Sequence, residues 1–190
     1  MHTPFFPTLV FAALFAVVLM GGMIWASWWD YTTMKVPKKV TMSLLAAGVV
    51  MNVARGVWLG SIGITTWYFE AGPVLGGLDG FLFSLSGLLI GFTLFTVMWI
   101  MGVAGGGDVK LATALGAWVG PKYLFFVLLT GLPVVMVLTL LKIGAAVTVG
   151  KPATAGGPNM GGGKRILSYS LPLTIAVAIM LAVAFSGAKF

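Results

Sequence analysis

Two acidic side chains, those of Asp30 and Asp108, could act together on a peptide substrate. Asp108 closes the run Gly105-Gly106-Gly107-Asp108, and Asp30 ends the first long apolar stretch; they are two of only 4 Asp and Glu residues in the chain. A carboxylate pair can hydrolyse a peptide bond when one member is ionised to activate water and the other is protonated to polarise the carbonyl. Two acids held close share a proton as a coupled pair. Glycines beside Asp108 would let the backbone approach an extended substrate. This pattern predicts Asp30 and Asp108 as catalytic residues and the three glycines as substrate-binding residues.

Other kinds of site are disfavoured by composition. The chain contains no Cys and a single His, His2, so thiolate chemistry is excluded and a Ser-His triad or His-based metal site is unfavourable. The remaining acids, Glu70 and Asp79, fall in a segment expected on the opposite side of the membrane. We therefore expect no metal and no cofactor. The formal charge of +7 comes from basic residues scattered singly or in pairs, without a basic patch interleaved with aromatic residues, so no nucleic-acid partner is expected.

Each feature also has a structural explanation. Asp30 alone could be a solvated loop residue or a helix cap, and Asp108 could be the N-cap of the helix that follows it. The glycine run could be a hinge or a tight packing point. A different function is also open, in which the two acids bind an ion or relay protons in a transporter or assembly subunit.

The elements that hold these residues are apolar helices. Hydrophobic residues make up 59% of the 190 residues and charged residues only 8%, with a mean hydropathy of +1.08. This leaves too little polar surface to cover a soluble globule. We predict an all-α, polytopic membrane helix bundle that forms a single integral-membrane domain over residues 1–190, with no separate soluble domain. The 27 glycines fit helix interfaces in a membrane, where small residues allow close backbone approach.

The apolar runs predict about six transmembrane helices. The first is long enough to cross a hydrocarbon core of about 30 Å and is interpreted as a retained helix rather than a cleaved signal peptide. A break near Gly120-Pro121 divides residues 111–141 into two crossings. Residues 150–163, rich in Gly, Pro and Ala, are predicted to form a mobile cytoplasmic loop. The other segments are predicted at about 5–29, 40–55, 81–101 and 169–185.

The positions of Lys and Arg predict the orientation of the bundle. Basic residues accumulate in short cytoplasmic loops. Six crossings place most of the 11 Lys and Arg residues on one side, which we assign to the cytoplasm, and they bring Asp30 and Asp108 to that same face. Arg55 is expected to extend to the outer interface beside Trp58 and Trp67. The cytoplasmic set is Lys35, Lys38, Lys39, Lys110, Lys142, Lys151, Lys164 and Arg165.

The residues around both acids resemble the motifs of the type IV prepilin peptidase family. Segment 105–111, Gly-Gly-Gly-Asp-Val-Lys-Leu after an apolar helix, is similar to the family's GxGD motif, which presenilin-type intramembrane proteases share. Asp30 followed by Val36-Pro37 resembles the family's first motif, an Asp followed by Ile-Pro-Asn, with Val36 in place of Ile and Lys38 in place of Asn. The resemblance extends to segment 169–172, Tyr-Ser-Leu-Pro.

The resemblance implies a membrane-embedded aspartic endopeptidase with Asp30 and Asp108 as its catalytic pair. Its substrate would be a prepilin-like membrane protein whose basic leader is cleaved at the cytoplasmic face of the bacterial inner membrane. The loop between the first two segments is about nine residues, so the cytoplasmic domain of longer family members is missing and a methyltransferase role is not supported. The chain thus resembles the short form that serves tight-adherence (Flp) pili. An archaeal preflagellin-processing relative and a non-enzymatic pilus-assembly subunit remain alternatives.

Overall fold

The structure, a computed structural model, describes residues 5–33, 36–65, 68–69, 72–148 and 169–185. These residues form helices and no strand: α1 (Leu9–Thr33), α2 (Lys38–Ser61), α3 (Pro73–Ile100), α4 (Gly106–Thr148) and α5 (Ser170–Phe185). The first four are long and apolar enough to cross a membrane, and α5 is a shorter apolar helix of 16 residues. The predicted all-α, polytopic membrane bundle is confirmed. The predicted loop at 150–163 lies outside the described residues.

The number of helices differs from the predicted six because two predicted crossings are arms of one element. Within α4, Gly120 has a non-helical backbone with φ 69° and ψ −179°. A side chain at Gly91 of α3 would lie 2.6 Å from the carbonyl oxygen of Ala112 and 3.4 Å from Cδ2 of Leu124. In a straight helix those two residues would be about 18 Å apart, at 1.5 Å per residue. The chain therefore turns back at Gly120, and the two arms of α4 lie side by side against α3.

α4 is the central helix of the bundle and contacts each of the other four helices. Trp118 is fully buried in its first arm, donates its indole N–H to the carbonyl oxygen of Leu44 at 2.6 Å, and packs edge-on against Phe15. Buried Asn52 of α2 donates its side-chain amide to the carbonyl oxygens of Ala117 and Trp118, both at 2.8 Å. These hydrogen bonds connect α2 to the arm that carries Asp108.

Close helix contacts depend on glycine, as the composition predicts. Side chains at Gly56 or Gly60 of α2 would overlap the backbone of α3 at Gly76 and Gly72. The contact between α3 and α4 is equally tight, because a side chain at Gly87 would overlap the backbone at Gly116 and Gly120. In a bilayer the hydrophobic effect does not drive helices together, so the van der Waals contact between such close backbones stabilises their association.

The outer halves of α2 and α3 differ from the sequence prediction. The apolar pattern places the end of the second segment at Arg55 and the start of the third at Phe81, whereas α2 continues to Ser61 and α3 begins at Pro73. Arg55 is 3% exposed, so the prediction that it extends to the outer interface is wrong. Its guanidinium lies over the rings of Phe5 and Phe83, 4.1 and 4.5 Å from their centroids. Cation–π contacts with these two rings take the place of the interfacial water that the sequence prediction assumed around the guanidinium.

Candidate active site

Asp108 lies in the first turn of α4 and is 4% exposed. Its Oδ2 accepts a hydrogen bond from the backbone amide of Gly105, at 2.8 Å. A carboxylate there satisfies an amide that has no partner within the helix, and it complements the positive end of the helix dipole. The interpretation of Asp108 as a cap is therefore correct in kind, although it caps Gly105 from inside the helix and is not itself the N-cap residue.

Asp30 lies in the last turn of α1 and is also buried, at 8% exposure. Its Oδ2 accepts a hydrogen bond of 2.8 Å from the hydroxyl of Ser170, the first residue of α5. One turn deeper, the hydroxyls of Ser27 and Thr174 are 2.7 Å apart and join the same two helices. Because the side chain is buried in a helix and bonded across 140 residues, Asp30 is not a solvated loop residue.

Two consecutive residues, Tyr169 and Ser170, each donate a hydrogen bond to one of the two acids. The backbone amide of Tyr169 donates to Oδ1 of Asp108 at 3.3 Å, and the hydroxyl of Ser170 donates to Asp30. Neighbouring Cα atoms are only about 3.8 Å apart. The structure therefore brings Asp30 and Asp108 to the same end of the bundle, on either side of the first turn of α5.

The three glycines before Asp108 have different surroundings. Gly105 is buried and its amide is bonded to Asp108, whereas Gly106 and Gly107 are half-buried. A methyl group at Gly107 would lie 3.4 Å from Cγ2 of Val36, in ordinary contact. At Gly106 it would meet no atom within 4 Å. Of the three predicted substrate-binding residues, Gly106 is thus the one beside open space.

Tyr169, whose backbone amide contacts Asp108, also contributes an aromatic ring near the acids. Its ring packs edge-on against Phe95 of α3, with centroids 6.3 Å apart. Burial, together with the nearby charge of Asp108, raises the pKa of the Tyr169 phenol above its usual value. The phenol is consequently neutral at physiological pH and remains a hydrogen-bond donor.

The arrangement suits acid–base chemistry on a polar bond held beside α4. Two carboxylates lie at one end of the bundle, each oriented by a donor from the Tyr169-Ser170 pair. In general, two carboxylates held close together can act as one acid and one base toward a water molecule and its target. The open space at Gly106 adjoins the turn that carries Asp108.

The sequence did not single out Tyr169 or Ser170 as site residues, although they lie in the segment that carries the resemblance. The spacing of polar residues in α1 and α5 could have indicated the contact between Ser170 and Asp30. Ser170 and Thr174 are four residues apart on α5, and Ser27 and Asp30 are three apart on α1, so each apolar helix shows one polar stripe. Two such stripes in apolar helices predict a polar contact between them.

The chain matches the sequence model of a known protein family. A model of the type IV leader peptidase family matches residues 17–149, well over half of the chain. The match includes Asp30, the Val36-Pro37 pair and the glycine run with Asp108, and it ends before Tyr169 and Ser170. No curated protein and no solved structure matches the chain in the corresponding comparisons.

Proposed function

Because the chain belongs to the type IV leader peptidase family, we propose that it is an aspartic endopeptidase that removes the basic leader of Flp-like prepilins. Family membership makes the chain a peptidase, and its four long apolar helices make it a multi-pass membrane protein. In this proposal, Asp30 and Asp108 are the catalytic residues and a prepilin is the substrate. The reaction takes place at the cytoplasmic face of a bacterial inner membrane, within a single membrane domain.

One observation carries the catalytic assignment. The Tyr169-Ser170 pair donates a hydrogen bond to each acid, so Asp30 and Asp108 lie at the same end of the bundle although they are 78 positions apart in the chain. The other described acid, Asp79, cannot join them. Its carboxylate accepts the backbone amide of Tyr68 at 3.0 Å in the connection between α2 and α3, at the opposite end of the bundle.

The proposed mechanism uses the pair as one acid and one base. The ionised member takes a proton from a water molecule, which attacks the carbonyl carbon of the scissile peptide. The protonated member donates to the carbonyl oxygen and stabilises the tetrahedral intermediate. Collapse of that intermediate breaks the C–N bond as the amine leaves with a proton, and no covalent enzyme intermediate forms. Gly106 provides the space in which an extended substrate backbone would lie.

The substrate and the membrane face follow from charge. The predicted cytoplasmic side carries most of the chain's basic residues. A prepilin whose Lys- and Arg-rich leader stays in the cytoplasm presents the peptide bond before its hydrophobic helix at that interface. The exposed side chains of Lys38, Lys39 and Lys110, near the ends of α2 and α4 that adjoin the acids, are consistent with a headgroup region there.

The alternative of an ion or proton carrier receives less support. Acids that bind ions in transporters lie near the bilayer midplane, at breaks in the helices. Asp30 lies in the last turn of α1 and Asp108 in the first turn of α4, both at helix ends. The one helix break in the described part of α4, at Gly120, is at the far end of its first arm from Asp108.

The test is cleavage of a prepilin-like substrate by the purified full chain in lipid vesicles. Asp30→Asn and Asp108→Asn keep the size and shape of each side chain and one of its two acceptor oxygens, so both variants should fold while each loses at least about 10³-fold in kcat. Asp79→Asn is the matched control because it changes a buried acid away from the site; cleavage by its folded fraction should continue. Substantial activity in either site variant would refute the acid pair.

A further inference from the structure

We propose that Ser170 is a positioning residue for Asp30, and that the first turn of α5 sets the spacing of the two acids. This inference rests on the proposed peptidase function and identifies a residue that the family match does not include. Because α1 carries Asp30 and α4 carries Asp108, the acid pair forms only when these two helices are held in the correct relative position.

The packing of the helices makes α5 the element between the two acids. α1 and α4 contact each other only slightly, whereas α5 packs against both of them. Leu173, Ala176 and Val177 of α5 are 3% exposed or less, so this helix is held firmly in the bundle. Of the helices that contact both α1 and α4, α5 packs most extensively against α1, so it contributes directly to the relative position of Asp30 and Asp108.

The two contacts from α5 differ in kind. Tyr169 uses its backbone amide to hold Asp108, a contact that any residue other than proline could make. Ser170 uses its side chain to hold Asp30, so this contact depends on residue type. Ser170 is 1% exposed, and its hydroxyl is a donor that a hydrophobic residue of similar size would lack.

A second hydrogen bond fixes the register between α1 and α5. Thr174 lies one turn after Ser170, and its hydroxyl is 2.7 Å from that of Ser27 and 2.8 Å from the carbonyl oxygen of Ser170, to which it can donate. This contact aligns the two helices so that the Ser170 hydroxyl faces Asp30. Loss of the Ser170 hydroxyl should loosen the last turn of α1 around Asp30, while the Thr174 contact one turn deeper keeps the two helices in register.

The experiment measures kcat and KM for the full chain in lipid vesicles with a prepilin-like substrate. Ser170→Ala should lower kcat about tenfold or more and leave KM within twofold, because a hydrogen bond to a charged group is lost at the acid and not at the substrate. Ser170→Thr, which keeps the hydroxyl, should recover part of the lost kcat. Ser84→Ala is the matched control: its buried hydroxyl donates to the carbonyl oxygen of Ala117 at 2.6 Å, away from the acids.

A distance measurement keeps the inference separate from the proposed function. The chain has no Cys, so spin labels at Thr32→Cys on α1 and Lys110→Cys on α4 would be unique. Their distance distribution should be narrow in the labelled parent and broader after Ser170→Ala. A kcat within twofold of the parent in folded Ser170→Ala overturns the inference. If the parent cleaves no prepilin-like substrate, the proposed function fails, and an unchanged distance distribution would then overturn the positioning role.

Discussion

Val36, in the connection between α1 and α2, packs against Gly107 in the first turn of α4. A methyl group added at Gly107 would be 3.4 Å from Cγ2 of Val36, and Val36 is 7% exposed. The next residue, Pro37, ends this connection as the N-cap of α2. The Val-Pro pair and the glycine run, which are far apart in the chain, therefore form one surface beside Asp108, and the glycines can be tested individually.

Gly106→Ala should separate substrate binding from folding. No atom lies within 4 Å of a methyl group at this position, so the free protein should tolerate the change and gain up to about 1 kcal/mol in the free energy of unfolding. A substrate backbone that occupies the space would meet the methyl group, and KM should rise about tenfold. Steady-state cleavage kinetics and an unfolding titration measure the two effects.

The control for that experiment is Gly21→Ala on α1. Gly21 also has no atom within 4 Å of an added methyl group, and it is remote from the acids in the middle of its helix. This variant should leave KM unchanged. An unchanged KM in Gly106→Ala would remove Gly106 from the proposed substrate site.

Gly120→Ala should destabilise the bundle. The backbone at Gly120 has φ 69° and ψ −179°, a conformation that is essentially restricted to glycine. An added methyl group would also overlap the ring of Phe83. Strain and overlap together should lower the free energy of unfolding by at least about 2 kcal/mol, measured by denaturant titration in mixed micelles. Gly21→Ala again provides the control, and equal stability of the two variants would contradict the assigned turn.

The sequence predicted the fold class and the turn at Gly120 because both depend on strong local signals. Long apolar runs require helices in lipid, and a Gly-Pro pair marks a break in a helix. Arg55 was misplaced because its aromatic partners, Phe5 and Phe83, lie on other segments, and a charge beside an apolar run looks like an interface residue. Ser170 was missed for the same physical reason: its partner Asp30 is 140 residues away, and only packing brings them together.

Arg55→Lys should reduce stability without altering the chemistry. Lysine keeps the charge but lacks the planar guanidinium that lies over the rings of Phe5 and Phe83, so the free energy of unfolding should fall by about 2 kcal/mol. The kcat of the folded protein should not change, because Arg55 contacts neither acid. A double-mutant cycle with Phe5→Leu should show that the two losses are not additive. Additive losses would mean that the ring and the guanidinium do not stabilise each other.

Tyr169→Phe tests the pH dependence next to Asp108. Burial and the charge of Asp108 raise the pKa of the phenol, so it keeps its proton to a higher pH than free tyrosine and stays neutral from about pH 6 to 9. Phenylalanine keeps the edge contact with Phe95 and the backbone amide that holds Asp108. The alkaline side of the pH–rate profile should therefore be unchanged. A shift of that limb in Tyr169→Phe would show that the phenol titrates within the working range.

Anionic lipid should promote capture of a basic leader, because the protein offers it almost no acidic side chains. The chain contains 4 Asp and Glu residues; Asp30 and Asp108 are the proposed catalytic pair, and Asp79 is buried at the other end of the bundle. Glu70 precedes α3 in the sequence, the helix that carries Asp79. Leader lysines and arginines would instead gain about 1 kcal/mol each at a negatively charged lipid surface.

We therefore expect KM to rise several-fold when vesicles of mixed anionic and neutral lipid are replaced by neutral vesicles, with kcat unchanged. The control is a substrate whose leader Lys and Arg residues are replaced by Gln, for which lipid charge should not matter. Added salt should raise KM for the basic leader in anionic vesicles, because screening weakens surface attraction within about 10 Å at 0.1 M. Equal KM values in both vesicles would show that lipid charge does not contribute to capture of the leader.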